Sequence, residues 1–334
     1  MTSIIHSSEG ESGCDQPIIS KALENMTVAA GLPVAGSFVT EIQSMMHGFG
    51  DARSPLPESA SLIESIVQQQ QRAVISQAAD MATMRGSKCI GPEDILFLLR
   101  KDRIKMHRLM KYLAVKDMKK NINSVLLESS LDGDLMLETP RGSGKKQTNL
   151  CMDFLRSIDQ TGELTDTCTL PVDMVKHERN VRAERSSRVL DETRYLEFVN
   201  ARRASFVSLK SASKFRELLQ TSSDGNFEAL KLSGVTYDLL GYMAYETVAQ
   251  IVDLALLVRR DSLTRPGMPF SRYIPGAGYS TSHTLDSQQI EFADPLTPAE
   301  IREALRRYCS CYIGPGAVFT CSAASHARTR LLSC

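Results

Sequence analysis

Apolar residues recur with helical spacing in two long stretches of the chain, and shorter helical stretches flank each of them. In the first long stretch, 57–84, the apolar positions lie about 3.6 residues apart with Gln and Ser on the opposite side, which predicts a long amphipathic helix. The short helix before it breaks at the turn signal Gly48–Asp51, and the short helix after it begins at Pro92. At about 1.5 Å per residue, the long helix would reach about 42 Å.

The same short–long–short pattern returns in the second half of the chain. Residues 212–219 predict a short helix, 235–260 predict a second long amphipathic helix, and the capping box Thr297–Glu300 opens a last helix. Between the halves, a short helix is expected near 153–158 and a charged, Arg-rich helix over about 175–200.

Neither half can cover its own apolar stripe. Burying the eight apolar side chains of the second long helix would contribute on the order of 10–20 kcal/mol, whereas ordering each residue costs about 1–2 kcal/mol. We therefore expect the two halves to pair within the chain, because the connecting segment gives them a high effective concentration. An irregular helical bundle without such pairing stays open as an alternative.

The short–long–short pattern is that of the histone fold. The sequence predicts an all-α protein with two histone folds in one chain, which form an intramolecular handshake pair with a helical and flexible linker between them. The predicted division is a flexible leader (1–36), an N-terminal histone fold with a basic C-terminal helix (37–120), a linker (121–190), a C-terminal histone fold (191–308) and an atypical, disordered tail (309–334). The predicted pairing core comprises Met45, Leu62, Ile66, Val74, Met81, Leu98, Leu239, Met243, Ile251, Leu254 and Val258.

Composition excludes several classes of protein. The 39 Lys and Arg balance the 39 Asp and Glu, so the chain is not a globally basic nucleic-acid binder. The eight Cys include no Cys-x-x-Cys pair, and the six His are isolated, so the sequence predicts a reduced, intracellular protein with no metal, no cofactor and no catalytic site. The most apolar window, 239–258, is interrupted by Glu246, Gln250 and Asp253, which argues against a membrane span.

One segment departs from this overall neutrality. The run Arg100–Lys120 carries nine basic residues against two acidic ones, a local charge of +7. It is either a solvated helix face whose apolar stripe packs on the first fold, or a contact for DNA phosphates or an acidic partner. The candidate contact residues are Arg100, Lys101, Arg103, Lys105, Arg108 and Lys111.

The second long helix carries an acidic pair. Glu246 and Asp253 lie seven residues apart with Gln250 between them, so the three side chains share one side of the helix. Two interpretations stay open: ordinary solvent exposure, or an acidic ridge that faces a basic partner.

Five segments together resemble the Spt3 family, histone-fold subunits of the SAGA transcription coactivator. They are QSMMHGFGD at 43–51, GPEDILFLLRKD at 91–102, FLRSIDQTGEL at 154–164, SKFR at 213–216 and AYETVAQIVDLALLVR at 244–259. The first two also resemble TBP-associated factor thirteen of TFIID, a short factor that would end soon after them. The resemblance covers roughly residues 37–308.

The resemblance implies a nuclear, non-enzymatic coactivator subunit that binds TATA-binding protein (TBP) and helps deliver it to promoters for RNA polymerase II transcription. The implied partners are TBP and other SAGA subunits, including histone-fold factors and the acetyltransferase module. DNA contact would be weak, and neither a membrane nor a small-molecule substrate is implied. Within this family the ridge of Glu246, Gln250 and Asp253 becomes the expected TBP contact.

One position departs from the family pattern. The family favours Arg in the link before the third helix, where this chain has Lys88, so we expect a loop clasp in which Lys88 makes a single point contact with Asp94. The alternative identities are a histone-fold subunit of TFIID or a DNA-binding histone-like pair. The second half of the chain argues against the short TFIID factor, and the neutral charge argues against DNA compaction.

Overall fold

The computed structural model describes residues 37–129, 147–166, 170–208, 211–221, 231–263, 294–310 and 332. Within these residues the chain forms ten helices and two short strands, in agreement with the predicted all-α class. The helices are α1 (Val39–Phe49), α2 (Pro57–Met84), α3 (Pro92–Leu99), α4 (Arg103–Ser129), α5 (Gln147–Ile158), α6 (Met174–Val189), α7 (Glu192–Arg203), α8 (Ala212–Thr221), α9 (Gly234–Leu263) and α10 (Pro298–Ser310), and the strands are β1 (Cys89–Ile90) and β2 (Lys231–Leu232). The predicted leader, 1–36, lies outside the described residues.

The helices α1, α2 and α3 form the short–long–short unit expected in the first half. α2 begins at Pro57, whose fixed φ suits the first position of a helix, and it ends at Met84. α1 ends because Gly50 adopts a left-handed conformation with φ of 114°, which a glycine reaches without a Cβ clash.

The helices α8, α9 and α10 form the corresponding unit in the second half. The predicted capping box is present at the start of α10, where the Glu300 amide donates to Thr297 Oγ1 at 3.3 Å and the Thr297 amide donates to Glu300 Oε2 at 2.8 Å. At the other end of this unit, the Phe215 ring of α8 lies edge-on to Phe38 of the first half, with 6.3 Å between ring centroids.

The two long helices, α2 and α9, pack against each other, and their order at both ends shows that they run in opposite directions. β1 follows the end of α2 and pairs in parallel with β2, which precedes α9. The Thr236 hydroxyl of α9 donates to the Ile90 carbonyl at 2.9 Å beside this pairing. At the opposite end, the Ser59 hydroxyl of α2 donates to the carbonyl of Leu296, in the loop between α9 and α10, at 2.6 Å.

The interior between the two halves is one continuous apolar cluster. Ile66 of α2 is 6% exposed and Ile251 of α9 is fully buried, and both belong to this cluster. The expected contact between the two amphipathic helices is therefore present. Of the predicted pairing core, Met45, Leu62, Ile66, Val74, Leu239, Met243, Ile251 and Val258 are buried, while Met81, Leu98 and Leu254 are half-buried.

The helices expected within the predicted linker, 121–190, are present as α5 and α6, both of which pack on the body of the protein, and the end of α4 also lies in this segment. α5 covers α3 and α4 with Cys151 and Leu155, each 1% exposed. The expected single helix over 175–200 is two helices, because the chain becomes extended at Leu190 (ψ 140°) before Asp191 starts α7. α7 packs on α1 of the first half, although the sequence assigned it to the second.

Within the described residues, α9 is the one helix whose length and composition would allow it to cross a membrane, over Gly234–Ser262. Its apolar window is 56% buried inside the protein, where it contributes to the shared core. The interpretation of this helix as a core element of the fold is therefore retained.

Leu332 is the one residue of the predicted tail beyond 310 that the structure describes. It is 1% exposed, its amide donates to Gln70 Oε1 at 2.9 Å, and its carbonyl accepts from Lys105 Nζ at 3.2 Å. At this position the chain packs against the core, where disorder was expected.

Candidate partner-binding site

The three residues of the predicted acidic ridge lie together on α9, as their spacing requires. They border a cavity of about 530 Å³ between α4, α6 and α9. The cavity has an apolar floor that includes Leu99, Leu109, Met243 and Leu254. A charged face beside an apolar recess is a common setting for ligand or partner contacts.

The two carboxylates of the ridge are covered, which corrects the expectation that they face solvent. The Glu246 side chain is 12% exposed and the Asp253 side chain is 16% exposed. Arg179 of α6 bridges them: its Nη1 donates to Glu246 Oε2 at 2.8 Å and its Nε donates to Asp253 Oδ2 at 2.6 Å. Gln250 lies between the two carboxylates and is half-buried.

Two further arginines complete this charge cluster. Arg182 Nη1 donates to Asp253 Oδ1 at 2.9 Å and to the Phe49 carbonyl at 2.7 Å. Arg108 approaches from α4 and donates to Glu246 Oε2 at 3.2 Å and to Asp173 Oδ1 at 2.7 Å. Three arginines thus meet three carboxylates from different segments, and each charge is paired.

The pairing determines the protonation of the cluster. Burial alone would raise the pKa of the Glu246 carboxyl, but Arg179 and then Arg108 hold that pKa below its usual range. Burial likewise opposes the charge of Arg179, yet Glu246 and Asp253 raise the pKa of its guanidinium. Burial also works against the Asp173 carboxylate, but the bonds from Arg108 lower its pKa. These three groups are therefore ionised at neutral pH.

The predicted basic contact group divides into residues that serve the fold and residues that face solvent. Arg108 belongs to the charge cluster, Lys105 binds the Leu332 carbonyl, and the Arg100 guanidinium stacks 3.8 Å from the centre of its neighbouring Phe97 ring. Lys101 and Lys111 are exposed. Arg103 is half-buried with contacts of its own. A DNA or acidic-partner contact stays a prediction, and Lys101 and Lys111 are its most accessible members.

The loop clasp on Asp94 is made by a residue that the sequence analysis did not select. Arg85, at the end of α2, donates from Nη2 to Asp94 Oδ2 at 2.8 Å and from Nε to Oδ1 at 3.3 Å. Lys88 is exposed, and its backbone carbonyl accepts from Lys231 in the strand pairing. The expected Lys88–Asp94 contact is therefore replaced by a two-point Arg85–Asp94 pair.

Arg179 and Arg182 were missed because they lie in the predicted linker. One signal was available. The two arginines lie three residues apart, on one side of a helix that has no apolar stripe, and their charge is opposite to that of the acidic pair on α9. Their partners lie 67 to 74 residues further along the chain, so sequence alone does not connect them.

The described residues offer no metal site, since no group of three or more His, Cys, Asp or Glu side chains within them could hold an ion. Among the thiols, burial raises the pKa of Cys151 to about 12, so this thiol is protonated at neutral pH and is a poor nucleophile.

Comparison with known proteins connects both halves of the fold to one family. The family model described as "Transcription initiation factor IID, 18kD subunit" matches residues 36–125, the first histone-fold half. The chain is 32% identical to SAGA complex subunit Spt3 of Drosophila melanogaster over 85% of this chain and 70% of that protein. It is 27% identical to SAGA complex subunit Spt3 of Schizosaccharomyces pombe over 80% of this chain and 88% of that protein.

A second group of relatives matches the first half alone. TFIID subunit 13 of Arabidopsis thaliana is 39% identical, but over 24% of this chain and 62% of that protein. The similarity that extends through α9 is therefore the similarity to the Spt3 proteins. The chain belongs to the Spt3 family.

Proposed function

We propose that this protein is a non-enzymatic, nuclear transcription coactivator subunit of a SAGA-type complex that binds TBP and helps deliver it to promoters for RNA polymerase II transcription. The observation that carries the proposal is the extent of the similarity: it spans 85% of the chain for an Spt3 relative against 24% for a TFIID subunit 13 relative. A subunit with both halves in one chain does not need a separate histone-fold partner to complete its core, so its outer surfaces are available to other subunits and to TBP.

The proposed TBP contact is the face of α9 that carries Glu246, Gln250 and Asp253. Its chemistry supports the proposal, because two carboxylates seven residues apart suit a basic protein surface and complementary charge speeds association. The recess beside them adds an apolar surface that a docking side chain can fill.

Complex membership is tested by affinity purification of the tagged full chain followed by mass spectrometry. We expect co-purification of SAGA subunits, including histone-fold factors and the acetyltransferase module. Recovery of TFIID subunits alone would contradict the proposal and favour the TFIID alternative.

The TBP contact is tested by capture on immobilised TBP. In the double variant E246Q/D253N the side chains keep their size and one acceptor oxygen each but lose both charges, so we expect weaker capture with an intact fold. Glu184, exposed on the outer side of α6 and paired with Arg188, supplies the control variant E184Q. Equal capture of the double variant and the control would remove this face of α9 from the proposed site.

A further inference from the structure

The helix α6 is attached to the protein in an unusual way for a packed helix. Of its 16 residues, Arg179 and Ala183 are the buried ones. Its apolar residues Met174, Val175 and Val189 are 53%, 46% and 40% exposed. Apolar burial therefore contributes little to holding α6 in place.

Ion pairs take the place of an apolar stripe. Arg179, whose side chain is 8% exposed, reaches both carboxylates of α9, and Arg182 reaches Asp253 from the next turn. At the start of α6, the Asp173 side chain caps the helix by accepting from the Lys176 amide and pairs with Arg108 of α4. The two arginines project from α6 toward α9, while most of the remaining side chains of the helix are exposed.

The body of the protein is shaped to receive these arginines. Arg182 passes over Gly50, where a Cβ would lie 2.5 Å from Arg182 Cδ, so the absence of a side chain at position 50 makes room for it. The Arg179 guanidinium lies 5.8 Å from the centre of the Phe49 ring, within range of a cation–π contact. The end of α1 and the acidic face of α9 thus form a binding surface for two arginines spaced one helical turn apart.

We infer that α6 is an internal ligand of the acidic face of α9, and that a partner with a basic, arginine- or lysine-bearing segment binds this face by displacing α6. The inference rests on the proposed function for the identity of that partner, TBP. The exchange is close to balanced, because the incoming cations replace Arg179 and Arg182 on the same carboxylates while the released arginines return to water.

At its C-terminal end, α6 is separated from the next helix by an extended residue. Leu190 is extended and Asp191 begins a separate helix, α7, which is packed on α1. A rotation at Leu190 would therefore lift α6 without disturbing the shared core of α2 and α9. The acidic face becomes accessible in proportion to the fraction of molecules in which α6 is displaced.

The test compares two double variants that remove the same charge from the same helix. R179Q/R182Q removes the arginines that pair with the carboxylates of α9, whereas R185Q/R188Q removes two exposed arginines, of which Arg185 lines the cavity and Arg188 pairs with Glu184 of α6 itself. If α6 covers the face in about nine-tenths of the molecules, R179Q/R182Q should bind TBP about tenfold more tightly than wild type, and R185Q/R188Q should gain much less. Equal or weaker TBP binding by R179Q/R182Q would overturn the inference.

A second measurement decides the inference without TBP. A fluorescent peptide of residues 170–190 is titrated into full-length R179Q/R182Q, and its matched control is the same peptide with both arginines replaced by glutamine. Binding of the first peptide but not the second supports the internal-ligand role; binding of neither, or of both equally, overturns it. Failure of every variant to bind TBP would refute the proposed function, whereas the peptide result would still decide the role of α6.

Discussion

Asp51 accepts a hydrogen bond from the backbone amide of Leu296, at 2.8 Å between Oδ1 and N, across a sequence separation of 245 residues. The same Oδ1 accepts from the Ala52 amide at 2.8 Å, while Oδ2 is buried without a partner in the described residues. One side chain thus ties the loop before α2 to the loop before α10. It joins the two halves at the end opposite to the β1–β2 pairing.

This relationship predicts different effects for two substitutions at one position. Asp51→Ala leaves the buried amide of Leu296 and the part-buried amide of Ala52 without this acceptor, and should lower the free energy of unfolding by about 1–3 kcal/mol. Asp51→Asn keeps the accepting oxygen and should cost less. Urea denaturation measures both, and an equal loss in the two variants would show that the shared oxygen does not join the loops.

The acidity of Asp51 gives this pair a pH dependence. Desolvation raises the pKa of Asp51 above its ordinary value of 3.8, despite the two amide hydrogen bonds and nearby Arg259. When the pKa of a carboxyl is higher in the folded protein than in the unfolded chain, its contribution to stability is lost as the pH rises through the pKa of the folded protein. Wild type therefore loses stability over this pH range, whereas Asp51→Asn, which does not titrate, keeps it. The stability difference between the two proteins should therefore shift in favour of Asn as the pH rises above about 4.

The Arg85–Asp94 clasp predicts a contrast between two cations of the same loop. Asp94 is 3% exposed, so Arg85→Ala leaves it with the Gly91 amide as its remaining hydrogen-bond donor among the contacts described. We expect a loss of about 1 kcal/mol, a modest value because the Arg85 side chain is partly exposed. Lys88→Ala is the matched control, and its effect should stay within about 0.5 kcal/mol. A larger loss for Lys88→Ala would restore the clasp expected from the family pattern.

The shared core predicts a strong position dependence along α9. Ile251 is fully buried between the halves, so Ile251→Ala should lower the free energy of unfolding by about 2–5 kcal/mol. Leu257 lies on the same helix but is 40% exposed, and Leu257→Ala should change stability far less. Chemical denaturation distinguishes them, and similar losses at the two positions would argue against the packing of α9 described here.

The charge cluster predicts an acid limb in the stability profile. The pKa of Glu246 is lowered from its ordinary value of 4.5 in the folded protein. A carboxyl with a lowered pKa stabilises the fold above its unfolded pKa, and this contribution is lost as the pH falls through the folded value. The free energy of unfolding of wild type should therefore exceed that of Glu246→Gln most clearly at neutral pH, and this difference should disappear below about pH 4. Glu184→Gln controls for the loss of one carboxylate, and a gap independent of pH would contradict the ion-pair account.

The sequence predicted the elements whose cause is local. α2 and α3 begin at prolines, α1 ends at a glycine, and the apolar period of α2 and α9 follows from the chain itself. The capping box at Thr297 is likewise a local signal. These features depend on neighbours within one or two turns, so the local sequence is sufficient to predict them.

The errors concern contacts between distant parts of the chain. Exposure of Glu246 and Asp253 was a reasonable expectation for charged positions beside an apolar stripe, but it depends on Arg179, in a segment interpreted as linker. α6 has no apolar period, so nothing in its own sequence indicates that it packs. The cation of the clasp was predicted wrongly for a similar reason. Arg85 and Lys88 are both near Asp94 in sequence, and only the three-dimensional path of the loop brings Arg85 to the carboxylate.

The central claim is that the two histone-fold halves complete one core within a single chain. Light scattering coupled to size-exclusion chromatography, carried out on the full-length protein over a range of concentrations, tests it most directly. The account predicts the mass of one chain at every concentration, because pairing is satisfied internally. A stable dimer that persists on dilution would show that the halves pair between chains and would contradict the account.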